Sequence, residues 1–246
     1  MENMRGRHIG MIFQNPLDSL NPVYTVGYQI MEGLLQDGYS KQESREFAMK
    51  ALNDVRISDI ERRMKSYPHE ISGGMRQRIM IAMMLCRKPQ LLIADEPTTA
   101  LDVTIQANII DLMLDLREQY GTSVLLITHD FGVVAEMADR VGVMYAGELV
   151  ESADVFTIFD APGHPYTRML MKALPTITKS QGRLESIAGS VPDLTVVRSG
   201  CCFADRCPLA DERCRNEKPA LNALSEGHRC ACHKAAEILA GSVQGV

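Results

Sequence analysis

Asp95 and Glu96 stand side by side at the end of a short apolar run, Leu91-Leu92-Ile93-Ala94, just before Pro97. That run suits a strand buried on both faces of a parallel sheet, and ligands of open α/β sheets sit at the carboxyl ends of the strands. Successive strand residues point opposite ways, so the two carboxylates have different work. One is suited to hold Mg²⁺, directly or through water, while the other orients an attacking water. Upstream, Ser72-Gly73-Gly74 opens an apolar-rich helix, Met75 to Cys86. Two glycines behind a serine leave backbone N–H groups free at a helix start, where the dipole is positive and no Cβ blocks a phosphate. Downstream, His129 follows the apolar run Val124–Thr128, one strand away from Asp95-Glu96, and Gln14 ends a strand directed at the same sheet edge.

A second concentration of chemistry lies near the other end. Six of the seven cysteines are Cys201, Cys202, Cys207, Cys214, Cys230 and Cys232. In a reducing compartment, so dense a set points to metal rather than to disulfides. Four thiolates suit either tetrahedral Zn²⁺ or an iron–sulfur cluster, and the spacings are too wide for paired C-x-x-C zinc knuckles.

The elements that must position these residues are legible. Arg7–Phe13 reads as a strand, Thr25–Leu35 as a helix, and Ser40-Lys41-Gln42-Glu43 as a capping box ahead of a further helix. A mostly helical insert thus spans about Thr25 to Arg87. A long helix follows from Val103 to about Glu118, then the strand Val124–Thr128, a helix from Phe131 to Ala138 and a strand over Val141–Tyr145. This alternation is the pattern of a parallel, doubly wound sheet. Ala146-Gly147 makes a hairpin turn into Glu148–Glu151, and Ser152 is suited to cap a helix from about Asp154 to Phe159. His164-Pro165 starts another helix, with proline at its first position. Residues 176–200 read as irregular.

Composition bounds the function. The chain has 246 residues, 46 % of them apolar, enough for one large domain or a domain with an appendage. The net charge of −5 argues against nucleic acid as main partner. No apolar run approaches the ~18 residues that would span a bilayer. The first ten residues are polar, with no signal-peptide pattern. A cytoplasmic protein that reaches a membrane through partners is the expectation.

The run ISGGMRQRIMIAMMLCRKPQLLIADEPTTALD, from Ile71 to Asp102, resembles the signature motif, Walker B motif and D-loop of ATP-binding cassette (ABC) ATPases. SGGMRQR and IADEPTTALDVTIQ are similar to the ATPase subunits of oligopeptide and dipeptide importers. MIFQNPLDSLNP resembles their Q-loop, HPYTRMLMKALP and IAGSVPDL match the same subfamily, and GCCFADRCPLADERC…HRCACH resembles its terminal segment. The resemblance implies an α/β fold: a P-loop NTPase parallel sheet with a helical subdomain at about 25–87, over residues 1–151, and a cysteine-rich extension over 152–246.

It also implies roles. Glu96 polarises the attacking water, His129 contacts the γ-phosphate, and Gln14 and Asp95 serve Mg²⁺. Ser72, Gly73 and Gly74 contact the nucleotide of a second ATPase subunit in a head-to-tail dimer, and Asp102 serves that interface. Asn15–Pro22 couples to two transmembrane permease subunits, fed by an external peptide-binding protein. Cys201, Cys207, Cys214 and Cys232 align with the family cysteines, which in some members hold a [4Fe–4S] cluster; Zn²⁺ is the alternative. The implied activity is ATP hydrolysis that drives peptide import at the cytoplasmic face of a bacterial plasma membrane, with nickel import the nearest variant. The implied rival is a non-catalytic assembly partner that lends Ser72–Gly74 to a second, competent ATPase.

One departure bears directly on ATP. A P-loop requires G-x-x-x-x-G-K-[ST], whose backbone N–H groups and lysine hold the β- and γ-phosphates, and these 246 residues contain no Gly-Lys pair. In the family that motif lies upstream of the Q-loop, so the expectation is a family member truncated before Gln14. The chain as it stands should then bind ATP weakly or not at all by itself. Equilibrium titration with labelled ATP checks this, and micromolar affinity of the isolated chain would contradict it.

Overall fold

The computed structural model describes residues 4, 6–14, 20–99, 102–173 and 187–242. Strands Ile9–Ile12 (β1), Leu91–Asp95 (β2) and Ser123–Ile127 (β3) pair in parallel, with β2 in the middle. Ile12 lies opposite Ala94, and Asp95 opposite Ile127, so the three strands run level at their carboxyl ends. Ile12, Leu92 and Ala94 are buried, as a sheet covered by helices requires.

The insert between β1 and β2 is helical. Val26–Gln36 (α1) is capped by Thr25, whose hydroxyl accepts the Tyr28 N–H at 3.3 Å. Lys41–Asp54 (α2) carries the expected capping box: Glu43 N–H donates to Ser40 Oγ at 3.2 Å, and Ser40 N–H to Glu43 Oε2 at 2.9 Å. Ile60–Lys65 (α3) and a short 3₁₀ turn at Pro68–Glu70 lead to Gly73–Leu85 (α4). Ile79, Met80, Ile81, Ala82 and Leu85 of α4 are buried. Asp37, just past α1, accepts two bonds from Arg87 at 2.7 Å and one from Arg7 at 2.5 Å. This fastens the start of β1 and the end of α4 to the insert. Val103–Tyr120 (α5) crosses from β2 to β3, burying Ile109, Ile110, Leu112, Met113 and Leu116. It stops at Gly121, whose φ of 63° is the left-handed cap that favours glycine.

The described chain divides into two compact units between Val133 and Val134, earlier than the break expected near Glu151. The division falls within the helix Phe131–Met137 (α6). The strand expected to extend the parallel series, Arg140–Tyr145 (β4), lies in the second unit and pairs antiparallel with Glu148–Asp154 (β5). The reason is its connection: Ala146 and Gly147, at φ 49° and 80°, form the tight turn of a hairpin, which returns the chain beside the strand it left. β5 also pairs with His228–Cys230 (β7), which pairs with Asn222–Ser225 (β6), giving the order β4-β5-β7-β6. Ser152 lies in β5 and caps no helix. Asp154 does so instead, its Oδ1 accepting the Thr157 N–H at 3.0 Å to start Val155–Asp160 (α7). Pro165–Ala173 (α8) begins at proline as expected. Residues 174–186, most of the first half of the segment read as irregular, lie outside the described residues.

The core of the second unit gathers Val143, Tyr145, Val150, Ala153, Ile158, Cys202 and Phe203. The rings of Tyr145, Tyr166 and Phe203 meet at centroid distances of 4.7, 5.1 and 5.3 Å. Beside them Glu151 is wholly buried. Its Oε1 accepts the Gly163 N–H at 2.5 Å and pairs with His228 Nε2 at 2.8 Å, while Oε2 accepts the His164 N–H at 3.1 Å. Three donors compensate the carboxylate for the lost water, and removing it strands all three. Glu151→Ala should destabilise the second unit by about 3–5 kcal/mol, measured by denaturant unfolding; a loss under about 1 kcal/mol would show that the three bonds are dispensable.

Candidate functional site

The level ends of β1, β2 and β3 bring three sequence-predicted residues into contact. Gln14 lies just past β1, Glu96 just past β2, and His129 two residues past β3. Gln14 Nε2 donates to Glu96 Oε2 at 2.7 Å, and His129 Nδ1 lies 3.0 Å from Glu96 Oε1. Thr99 Oγ1 donates to Glu96 Oε2 at 2.9 Å. The Glu96 backbone has φ 45°, a left-handed conformation uncommon outside glycine. It is held there by Glu96 N–H donating to the Ile127 carbonyl at 2.8 Å and Thr99 N–H donating to the Glu96 carbonyl at 3.1 Å. A strained residue fixed at a strand end is a mark of functional sites.

These bonds also set charge. The hydrogen bond with His129 foremost, then those from Thr99 and Gln14, hold the Glu96 carboxyl below its ordinary range. The side chain keeps 21 % exposure, and that of His129 keeps 76 %, so both remain open to a ligand or water. Asp95 ends β2. Neighbouring Asp130 loses stabilisation to burial but recovers more from Gln106 Nε2 at 2.9 Å and from the backbone N–H groups of Gly132 and Val133, leaving its carboxyl lowered as well.

Ser72 flanks α4 without a side-chain cap bond, which leaves its hydroxyl uncommitted to the helix start. A Cβ added at Gly73 would meet nothing within 4 Å, whereas one at Gly74 would press on Ile105 at 3.2 Å. Gly73 is therefore bare toward the outside and Gly74 is packed on α5. Gln77 Nε2, one turn on, donates to the Pro97 carbonyl at 2.5 Å and ties α4 to the turn after β2. Asp102 Oδ1 accepts the Ile105 N–H at 2.9 Å and caps α5, a local duty beside the interface duty expected of it. Of the expected coupling loop Asn15–Pro22, residues 15–19 lie outside the described residues, as does Leu101. Thr99 and Gln77 were not read from sequence. Thr99's three-residue spacing from Glu96 was the available signal; Gln77 carried none.

In the second unit Cys201, Cys207, Cys214 and Cys232 line one small cavity, with His164, His233 and the apolar Pro165, Phe203, Ala204 and Pro219. Cys202 and Cys230 do not line it; Cys202 belongs to the core and Cys230 to β7. Cys201 and Cys214 are drawn together by the backbone: Cys201 N–H donates to the Cys214 carbonyl at 2.8 Å. Gly200 permits this approach, since a Cβ there would stand 2.2 Å from the Arg215 carbonyl oxygen. All seven cysteines are free thiols. Among the described residues no group of three or more His, Cys, Asp or Glu side chains is gathered closely enough to hold a metal ion as it stands. The adjacent thiols Cys201 and Cys202 polarise each other. The bond from Cys202, opposed by burial and helped by His164, holds Cys201 down to about 4, and Cys202 is pushed up. Burial pushes Cys232 up to about 12.

Comparison with known proteins bears on both regions. Residues 1–99 match the family model described as ABC transporter, and residues 150–214 the one described as oligopeptide/dipeptide transporter, C-terminal region. The chain is 53 % identical over 241 residues to a probable peptide ABC transporter ATP-binding protein, y4tR, of Sinorhizobium fredii, covering 97 % of this chain and 72 % of that one. It is 51 % identical to the dipeptide transport ATP-binding protein DppD of Escherichia coli, covering 94 % and 71 %, and 50 % identical to the oligopeptide transport ATP-binding protein AppD of Bacillus subtilis, covering 93 % and 70 %. Among solved structures, cbiO1 from Clostridium perfringens, part of the ABC transporter complex cbiONQ, aligns with TM-score 0.57 at 27 % identity, covering 63 % of this chain and 60 % of that one. The ATP-binding cassette MJ0796, solved as a dimer with ADP and Pi, aligns with TM-score 0.53 at 29 % identity over 61 % and 64 %. Against both structures the chain spans less than two thirds of the solved length.

The lowered Glu96 carboxyl gives a signed prediction. Its folded-state value lies below its ordinary one, so its contribution to the order of the strand ends is present above the ordinary value and lost as pH falls through the lowered one. Replacing His129 by alanine removes the largest cause, and the Glu96 titration followed by carbon-13 NMR should move upward. An unmoved titration would show that the His129 contact carries no electrostatic weight.

Proposed function

The chain belongs to the ATP-binding proteins of peptide ABC transporters, and from that premise we propose that it serves as the ATP-binding and ATP-hydrolysing subunit of a peptide importer. The observation that carries this is the convergence of Gln14, Glu96 and His129 on one set of hydrogen bonds at the end of a parallel sheet. Glu96, kept ionised by its neighbours, orients the attacking water and draws off its proton. His129, largely exposed, is free to turn from Glu96 to the γ-phosphate. Asp95 and Gln14 are the oxygen donors suited to Mg²⁺, which supplies neutralisation of phosphate charge when bound.

Ser72, Gly73 and Gly74 act in trans on the nucleotide of a second ATPase subunit, and the bare Gly73 supports this. Asp102 serves the same head-to-tail interface. Among the described residues no helix is long and apolar enough to cross a membrane. The subunit docks on two transmembrane permease subunits at the cytoplasmic face of the plasma membrane, through the 15–22 loop. An external binding protein supplies the peptide.

Cys201, Cys207, Cys214 and Cys232 suit a [4Fe–4S] cluster, with Zn²⁺ the alternative. The donor set is four thiols on one cavity with an apolar lining, the surroundings in which thiolate–metal bonds are shielded from water. When bound, such a group supplies sulfur-to-metal bonds that tie together segments of chain separated by loops.

With a phosphate-binding segment supplied ahead of residue 1, Glu96→Gln should lower ATP turnover at least about 100-fold and leave ATP binding in place. Normal turnover would remove Glu96 from the chemistry. Anaerobic purification followed by iron, sulfide and zinc analysis tests the cysteine site. Cys→Ser at each of the four positions should lower metal content and at Cys202 should not; a metal-free wild type would strike the site out.

A further inference from the structure

His164 is 1 % exposed, and its two ring nitrogens have unequal surroundings. Nδ1 accepts the Tyr166 backbone N–H at 3.0 Å. In the neutral ring Nδ1 is therefore the unprotonated nitrogen, and Nε2 carries the proton. Nε2 is buried and has no hydrogen-bond partner. A buried N–H without an acceptor is costly, and each such group in a folded protein calls for an explanation.

The ring has little freedom to relieve this by turning out to water. Glu151 holds the His164 backbone N–H at 3.1 Å and that of Gly163 at 2.5 Å, Pro165 fixes the next φ, and the Phe203 ring stands 5.9 Å away. Glu151 is itself fixed by His228 at 2.8 Å. The fold thus spends a buried carboxylate on holding an imidazole whose donor is unanswered. The same imidazole forms part of the wall of the cavity lined by Cys201, Cys207, Cys214 and Cys232.

We propose that His164 is a positioning residue of the four-cysteine site: its Nε2–H donates a hydrogen bond to a sulfur of the thiolate-bound cluster, without ligating the metal. The inference rests on the cluster reading given above. Four thiolates and their bridging sulfides are anionic acceptors, and an N–H donor on the wall of the same cavity would find there the acceptor that the protein atoms do not supply. Hydrogen bonds to cluster sulfurs favour the reduced, more negative state, so this donor raises the reduction potential. The clamp of Glu151 and His228 delivers the donor, which gives this buried carboxylate–imidazole contact a role beside the cavity.

The test uses the full chain purified anaerobically as wild type, His164→Leu and His164→Gln, with folding checked by circular dichroism. Iron and sulfide are assayed, and the cluster is titrated with dithionite while its paramagnetic signal is followed. The expectation is iron content near wild type in both variants, a more negative midpoint potential in His164→Leu, and return toward the wild-type value in His164→Gln, whose amide restores an N–H near the Nε2 position. Equal potentials in wild type and His164→Leu would overturn the proposal. So would loss of iron from both variants to the extent seen for Cys201→Ser, which would make His164 a ligand. Wild-type protein with zinc or no metal would fail the cluster reading itself, and that failure is visible before any His164 variant is measured.

Discussion

The candidate nucleotide site depends on the register of one strand between two others. β2 pairs in parallel with β1 and β3, with Ile12 opposite Ala94 and Asp95 opposite Ile127. That register brings Gln14, Glu96 and His129 to one edge within hydrogen-bond distance. Side chains alternate along a strand, so a slip of one residue between β1 and β2 would turn Gln14 to the opposite face and break its bond to Glu96. The register is specified by burial: Ile12, Leu92 and Ala94 have no exposed alternative that keeps the core filled. The apolar strands thus carry the geometry of a polar site they do not enter.

Once the register is set, polarity is distributed by small differences of position. Asp95 is the last residue of its strand, while Glu96 lies beyond the ladder, at a left-handed φ held by backbone bonds with Ile127 and Thr99, its carboxylate bonded by Gln14, Thr99 and His129. Adjacent carboxylates thereby come to differ in partners and in task. The helix after Ser72 is coupled to the same turn through Gln77 and Pro97. Movement of that helix is therefore felt one residue from Glu96, a coupling that the proposed roles of Ser72 to Gly74 and Glu96 require.

Much of this was legible in sequence for local reasons. The strand ending in Asp95 showed itself as an apolar run closed by a proline, the second helix by its capping box, and the hairpin by Ala146-Gly147. What was hidden depended on partners distant in sequence. Periodicity marked Val141–Tyr145 as a strand but could not say that it would join a separate sheet with β5, β7 and β6 instead of extending the parallel one. Ser152 and Asp154 are both competent caps, and only the length of β5 decides between them. No local pattern pairs Glu151 with His228, which the fold buries together. The four cysteines could be chosen from six only by resemblance; all four line one cavity that Cys202 and Cys230 do not.

The central claim, that Glu96 is the carboxylate directing water and that Gln14 and His129 share its site, meets its most direct test in a structure of the assembled transporter. Electron cryomicroscopy of the complex with Mg²⁺ and a non-hydrolysable ATP analogue would locate the γ-phosphate. The account predicts an ordered water between Glu96 and that phosphate, with Gln14 and His129 within hydrogen-bond reach and Ser72 to Gly74 facing the nucleotide of the other subunit. A γ-phosphate bound away from the ends of β1, β2 and β3, with Glu96 still paired only to protein, would contradict it.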